Sequence, residues 1–330
     1  MKKIFDIKTV SSARGITPRA IRYSLALFLI ANIITGCKDK SDDIVEEPPV
    51  EVVDTDITAL VKKIQAGSTV IREFKSDTFT QIADGVSQTQ VSYIDKTNLP
   101  VKMFILEVDL KNAKLGVQAL LPYNDYLNGL QTVTEMCRDN QKAGKTIIAA
   151  VNGDFFSAAG APEGYFYIDG VALKTARLTT SKAYFAVMKD KTPVIGGLDP
   201  VNNTEVPGVV LGNIQQAVSG RQWLVKDGAL APFTDFSVTA RTAIGYTAAN
   251  VVYAIVVDGA QDDYSNGISI DEMGRVMQAL GTTRAMNLSG GVNSTLAVKS
   301  SGENKWIMQN QQPKKAEALV ANGIGFVINE

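Results

Sequence analysis

Three segments of this chain place a polar side chain beside glycine where an apolar run ends. They are Asn152-Gly153-Asp154 after "IIAAV", Asp258-Gly259 after "AIVV", and Asn287-Leu288-Ser289-Gly290-Gly291 after "RAM". An amide or carboxylate at the exit of a buried strand is held by the scaffold while its loop faces solvent, which is how ligand sites are built. Each dipeptide alone is also ordinary turn chemistry. Three together point to one site. The last exit is the barest, because paired glycines run into Val292, Asn293, Ser294 and Thr295. Backbone amides there can approach a ligand closely, and the hydroxyls and amides can bind its oxygens.

The chain contains 0 histidines. That removes Ser-His-Asp and Cys-His catalysis and every His-ligated zinc site, so chemistry falls to carboxylates, Arg, Lys, Tyr, amides and backbone. Arg241 stands in "TARTAIGYT", an otherwise small and apolar stretch. A buried guanidinium needs an anionic partner, either a protein carboxylate or a ligand phosphate. Glu272 closes the S-x-x-E of Ser269-Ile270-Asp271-Glu272, so a helix cap is a competing role for it. Asp262, Asp263 and Asn266 hint at calcium. With Gly267 aligned to the EF-hand glycine, however, the third position is Tyr264 and the twelfth is Met273, and the pattern fails. No metal and no cofactor are expected.

The elements that must position these groups are mostly strands. Residues 101–110, 145–156, 183–190, 251–259 and 322–329 read as strands, several of them buried on both faces. "LQTVTEMCRDNQKAG" and "SIDEMGRVMQALG" read as helices. The second puts Met273, Val276, Met277 and Leu280 on one stripe, with Gly281 as its C-terminal cap. Strands do not alternate regularly with helices. The expected class is α+β, a mixed β-sheet core with packed helices in a single elaborate domain.

The chain's 330 residues carry 33 basic and 34 acidic side chains, a balance that argues against nucleic acid as a partner. Lys2, Lys3, Arg14, Arg19 and Arg22 precede an apolar run from Leu25 to Ile34, too short for a comfortable membrane span. Ile34-Thr35-Gly36-Cys37 then resembles a bacterial lipoprotein signal, which implies cleavage before a lipidated Cys37 and attachment to the cell envelope. The expected division is a signal at 1–37, an acidic tether at 38–56, a lead-in at 57–81 and the main domain at 82–330. The acidic tether resembles those of surface-exported lipoproteins and suggests an outer-membrane, surface-facing location. Cys137 is expected to be a buried, inert thiol.

The order of motifs carries a resemblance. "AAVNGDFF", "GYFYIDG", "WLVKDG", "RTAIGYT", "IVVDG", "NGISIDEMGRVMQALG" and "NLSGGVNST" are similar to the phosphodiester glycosidase family, which includes the uncovering enzyme of lysosomal targeting. The similarity runs from about Ile82 to Val327. It implies that Asn152, Arg241, Asp258, Gly259, Glu272, Asn287, Gly290, Gly291, Ser294 and Thr295 line a cavity, joined by Gly153 and Ser289 from the strand exits. Asp154 and Glu163 carry no weight in it. The family usually reads Asn-Leu-Asp-Gly-Gly-Gly-Ser-Ser-Thr at the last exit. This chain has Ser289 for the Asp, and Val292-Asn293 after the second glycine.

The resemblance implies hydrolysis of a sugar, N-acetylglucosamine-like, at the anomeric carbon–oxygen bond of a phosphodiester. The departing phosphomonoester, with a second pKa of about 6, leaves far more readily than a sugar alkoxide. Charge stabilisation then matters more than a general acid. The assignment is Glu272 as base or nucleophile, Asp258 as its partner or a sugar-hydroxyl binder, and Arg241 as phosphate clamp. A silent sugar-phosphate-binding lipoprotein is the main rival, because Ser289 replaces an acidic residue. A phosphodiesterase is a further rival, but such enzymes usually need a metal site.

Overall fold

The computed structural model describes residues 57–330. The expected lipidation residue Cys37, the expected signal at 1–37 and the expected tether at 38–56 lie outside the described residues.

Helix α1 (Ala59–Gly67) leads into a meander of β1 (Glu73–Ala83), β2 (Val86–Ile94) and β3 (Pro100–Asp109). Then come β4 (Leu115–Leu120), α2 (Val133–Asp139) and β5 (Lys145–Asn152). Five strands follow: β6 (Phe166–Ile168), β7 (Val171–Lys174), β8 (Ala183–Met188), β9 (Pro193–Gly197) and β10 (Ile214–Gly220). β11 (Trp223–Lys226), β12 (Ala229–Leu230), β13 (Arg241–Thr247) and β14 (Val251–Val257) precede helix α3 (Ile270–Ala279). β15 (Thr282–Asn287), β16 (Leu296–Lys299), β17 (Trp306–Met308) and β18 (Gly323–Asn329) end the chain.

The strands form an eight-stranded sheet ordered β1-β2-β3-β14-β13-β15-β11-β12 and two five-stranded sheets, β7-β6-β10-β8-β9 and β17-β16-β5-β18-β4. Every strand pairing is antiparallel. This corrects the expected α+β mixed sheet: the protein is mostly β, with three α-helices among the described residues.

The correction has a physical reason. In β3, Val101, Met103 and Ile105 join the core formed with α1 and α3, while Phe104, Leu106 and Val108 join the core shared with the smaller sheets. β14 divides its residues in the same way, with Tyr253, Ile255 and Val257 on one side and Val252, Ala254 and Val256 on the other. Side chains alternate across a strand, so a strand covered on both faces reads as an unbroken apolar run whether its neighbours are parallel or antiparallel.

α3 keeps its expected stripe, with Met273, Val276, Met277 and Leu280 buried. Gly281 follows at φ +80°, the left-handed conformation that ends helices. The 57–81 segment holds α1, whose Val61 and Ile64 are buried, and most of β1, which pairs with β2. Cys137 is fully buried on α2, and burial pushes its thiol pKa well up, as expected of an inert group.

The register puts the start of β13 beside the ends of β14 and β15, since Arg241 faces Val257 and Ala243 faces Asn287. Chain segments pack so closely there that a Cβ on Gly259 would lie 2.2 Å from the Ala240 backbone nitrogen. Gly259→Ala is therefore expected to cost about 1–3 kcal/mol, read as a lower urea midpoint. Gly212→Ala, where a Cβ would meet nothing within 4 Å, should stay within about 0.5 kcal/mol of the parent.

Candidate active site

The three strand exits come together. Asn152, at the end of β5, is fully buried. Its Oδ1 accepts from Thr242 Oγ1 at 2.8 Å and from the Thr295 amide at 3.0 Å, and its Nδ2 donates to the Ser289 carbonyl at 2.6 Å. The Ser289 amide donates to the Gly153 carbonyl at 2.9 Å. Asn287 Oδ1 accepts from the Gln222 amide at 2.7 Å, which ties the exit of β15 to the chain leaving β10. Asn152, Gly153, Asn287, Ser289 and Thr295 thus build the frame of the site.

Arg241 lies against the bare loop: a Cβ on Gly290 would fall 3.6 Å from Arg241 Cα and 2.9 Å from the Ala240 carbonyl oxygen. The Gly291 amide donates to that same carbonyl at 2.8 Å. The Arg241 side chain is only 11% exposed, and burial pulls its pKa down, partly countered by Asp235. Nη2 donates to the Ser237 carbonyl and hydroxyl at 2.7 and 2.9 Å and lies 3.5 Å from Asp235 Oδ2. Nε reaches the Ile268 carbonyl at 3.4 Å. Nη1 donates to no group among the described residues.

Asp258 is buried, and both its oxygens are engaged. Oδ1 accepts from Asn310 Nδ2 at 2.8 Å, while Oδ2 accepts from the Gln311 amide at 2.8 Å and the Tyr264 hydroxyl at 3.1 Å. Desolvation raises its pKa against the pull of those donors. Glu272 adopts the capping role: its Oε2 accepts from the Ser269 amide and hydroxyl, and the Ser269 hydroxyl accepts the Glu272 amide. Its Oε1 pairs with Lys96 Nζ at 3.0 Å. The α3 N-terminus begins just past Ile268, whose carbonyl accepts from Arg241, so one short segment of chain links Glu272 to the guanidinium.

Ser289 Oγ accepts from Asn293 Nδ2 at 3.0 Å, so two of the residues that depart from the family pattern bond to each other. Ser294 Oγ, Asp154 Oδ1 and Asn322 Nδ2 are buried without a partner among the described residues. All three belong to segments that meet at Asn152, since the Asn322 carbonyl accepts the Gly153 amide. Buried unpaired polar atoms are rare, and three of the five found among the described residues fall in these segments, the other two being Gln118 Oε1 and Arg177 Nη1.

A second cluster adjoins this frame. Arg221, leaving β10, grips Glu163 with a two-pronged contact, Nε to Oε2 at 3.0 Å and Nη2 to Oε1 at 2.6 Å. Its guanidinium stacks 4.0 Å from the Phe155 ring centroid. Thr180 Oγ1 completes the Glu163 shell at 2.9 Å. Arg221 first, then Thr180, holds the Glu163 pKa low despite burial, whereas burial lifts Asp154 to about 7. Sequence reading gave these carboxylates no role and passed over Arg221. The available signal was a charge between glycine and an apolar run in "VSGRQWLV".

Among the described residues no group of three or more His, Cys, Asp and Glu is gathered to hold a metal ion.

Three antiparallel sheets whose polar exits converge on one histidine-free site define a fold shared with solved proteins. The structure of a hypothetical protein from Synechocystis aligns with a TM-score of 0.56 at 12% identity, over 77% of this chain and 64% of that one. The catalytic domain of zebrafish N-acetylglucosamine-1-phosphodiester alpha-N-acetylglucosaminidase, auto-inhibited by its pro-peptide, aligns with a TM-score of 0.54 at 18% identity. That match covers 77% of this chain and 88% of that one. The chain therefore spans a little under two thirds of the cyanobacterial protein. A comparison with curated proteins gives no match. The phosphodiester glycosidase profile matches residues 145–327, and the chain belongs to that family.

The raised Asp154 pKa has a defined sign. Below the unfolded pKa, about 4, both states hold the proton. As pH rises from there to about 7, only the folded state keeps it, and stability falls. Asp154→Asn removes this loss. Its stability advantage over the parent should widen between pH 5 and 7.5 and level off above, measured by chemical unfolding. An advantage independent of pH would contradict the assignment.

Proposed function

We propose that this member hydrolyses the anomeric carbon–oxygen bond of a sugar, N-acetylglucosamine-like, attached through a phosphodiester. The products are free sugar and a phosphomonoester. The observation that carries the reading is Arg241: a largely buried guanidinium whose Nη1 is uncommitted among the described residues, packed against glycine backbone. Such a group matches the charge that grows on phosphate oxygens as the sugar departs. Family membership supplies the substrate class.

In this reading Arg241 clamps the phosphate, the Gly290–Gly291 backbone with Ser294 faces the substrate's oxygens, and Thr295, whose hydroxyl is bonded to the Asn293 carbonyl and to Gln312, holds that loop in place. Glu272 acts as base or nucleophile after releasing Lys96, whose side chain is 68% exposed and weakly bound. Asp258, anchored by Asn310 and Tyr264, is its partner or binds a sugar hydroxyl. Water supplies the new oxygen on the anomeric carbon, and the bond to the phosphate oxygen breaks with its electron pair.

A second reading is a sugar-phosphate-binding protein without turnover. It is favoured by the full engagement of Glu272 and Asp258 and by Ser289 in place of Asp. Hydrolysis of an N-acetylglucosamine phosphodiester by the full chain in oxygen-18 water separates the two. The label should enter the sugar, and Glu272→Gln should lower turnover by about 10²-fold or more. Ser289→Asp should raise it. Label in the phosphate would overturn carbon–oxygen cleavage, and no turnover by any variant would favour the binding protein.

Export and lipid anchoring through Cys37 are part of the proposal. They rest on the basic, apolar and small-residue order of residues 1–37. Cells fed labelled palmitate should label the parent and not Cys37→Ser, with the parent in the envelope fraction. Equal labelling of both would refute the anchor.

A further inference from the structure

A cleft of about 300 Å³ opens beside the frame of the site. It is bordered by the turn after β9, the chain between β10 and β11, and the loop from Ala231 to Ala240. Two of its lining residues are bound to the candidate site through their own backbone. Gln222 donates its amide to Asn287 Oδ1 at 2.7 Å. Thr234 immediately precedes Asp235, the carboxylate beside Arg241.

The polar side chains lining this cleft are Lys182, Asp199, Asn203, Gln222 and Thr234, set over an apolar floor. Neither the Gln222 carboxamide nor the Thr234 hydroxyl has a hydrogen-bond partner among the described residues. Asn203 Oδ1 accepts from Lys182 Nζ at 2.9 Å, which leaves the Asn203 Nδ2 free to donate. Asp199 is already neutralised by Lys226 Nζ at 3.1 Å, and it takes the Val201 and Asn202 amides. No free carboxylate is therefore left to select a cation. The floor is Trp223, whose Nε1 is spent on the Leu198 carbonyl at 2.7 Å, flanked by proline rings.

Two amides, a hydroxyl and the Lys182 ammonium, which is held by the Asn203 carboxamide oxygen, are hydrogen-bonding groups around an apolar floor and match a molecule with many hydroxyls and a hydrocarbon face. A pyranose ring is such a molecule. The volume is at the lower end of the range for small-molecule sites, about 300–1,000 Å³, and suits a single ring rather than an oligomer.

We infer that this cleft is a saccharide subsite in which Gln222 and Thr234 hydrogen-bond the hydroxyls of one sugar ring next to Arg241. The inference rests on the proposed function only for the identity of its neighbour, the phosphate clamp. A sugar on either side of the phosphate has the required chemistry.

The test is titration of the full chain in detergent with N-acetylglucosamine, glucose, mannose, a hexose 6-phosphate and inorganic phosphate. Gln222→Ala and Thr234→Ala are titrated alongside. At least one sugar should bind the parent, and each variant should weaken it about fivefold, the value of one neutral hydrogen bond. Inorganic phosphate, held by Arg241, should bind parent and variants alike, which also shows that the variants are folded. Preference for N-acetylglucosamine assigns the cleft to the released sugar, and preference for the hexose phosphate assigns it to the phosphate-bearing side. Sugar binding that is absent, or equal in all three proteins, overturns the inference. Sugar binding lost in the variants with no turnover in oxygen-18 water would leave the subsite standing and refute the hydrolase reading alone.

Discussion

The carboxamide of Asn152 is buried where three separate chain segments meet, and each of its bonds crosses between elements. Thr242 belongs to the eight-stranded sheet, Thr295 leads into β16, and Ser289 carries the bare glycine loop. Removing such a group strands each partner in a dry interior, at about 1–3 kcal/mol apiece. The same bonds fix the height of Ser289 and hence the approach of Gly290 to Arg241. The five-stranded sheet β7-β6-β10-β8-β9 joins through Asp154 Oδ2, which accepts the Gly164 amide ahead of β6, and through the Gln222–Asn287 bond. The frame that closes the fold is also the frame that shapes the site.

Without histidine, the site manages charge by burial and pairing. Arg241 is desolvated but only loosely paired, because its Asp235 partner is 3.5 Å away and partly exposed. Arg221 is the opposite case, locked onto Glu163 by two short bonds. The first is suited to receive an anion and the second to hold a wall in place. Neighbouring Asp154 and Glu163 are driven apart in pKa by the same contrast, since one is buried without a cation and the other grips one. In the proposed reaction a phosphomonoester leaving group would lower the need for a proton donor, so that an arginine and backbone amides could carry much of it.

Much of this was legible in the residues. The strand exits and Arg241 announced themselves as polar groups in apolar surroundings, and the capping box of Ser269 and Glu272 is present as its spacing implied. Sheet direction was not legible, because β3 and β14 are covered on both faces and lose the alternation that marks a half-buried antiparallel strand. Short strands such as β6 and β12, of 3 and 2 residues, are too brief to show a period. Arg221, Asn310 and Tyr264 were missed for a related reason: their importance comes from partners 58, 52 and 6 residues away, and local pattern holds no record of the longer pairings.

The central claim is that Arg241 acts on the phosphate of the leaving group. The most direct measurement compares kcat/KM of the parent and Arg241→Lys on two substrates with the same sugar, one joined through a phosphodiester and one through a neutral aryl ether. Lysine keeps the charge but loses the planar fork. The account predicts a loss of about 10²-fold on the phosphodiester and little change on the aryl glycoside. Equal losses on both substrates, or an undiminished phosphodiester rate, would contradict it.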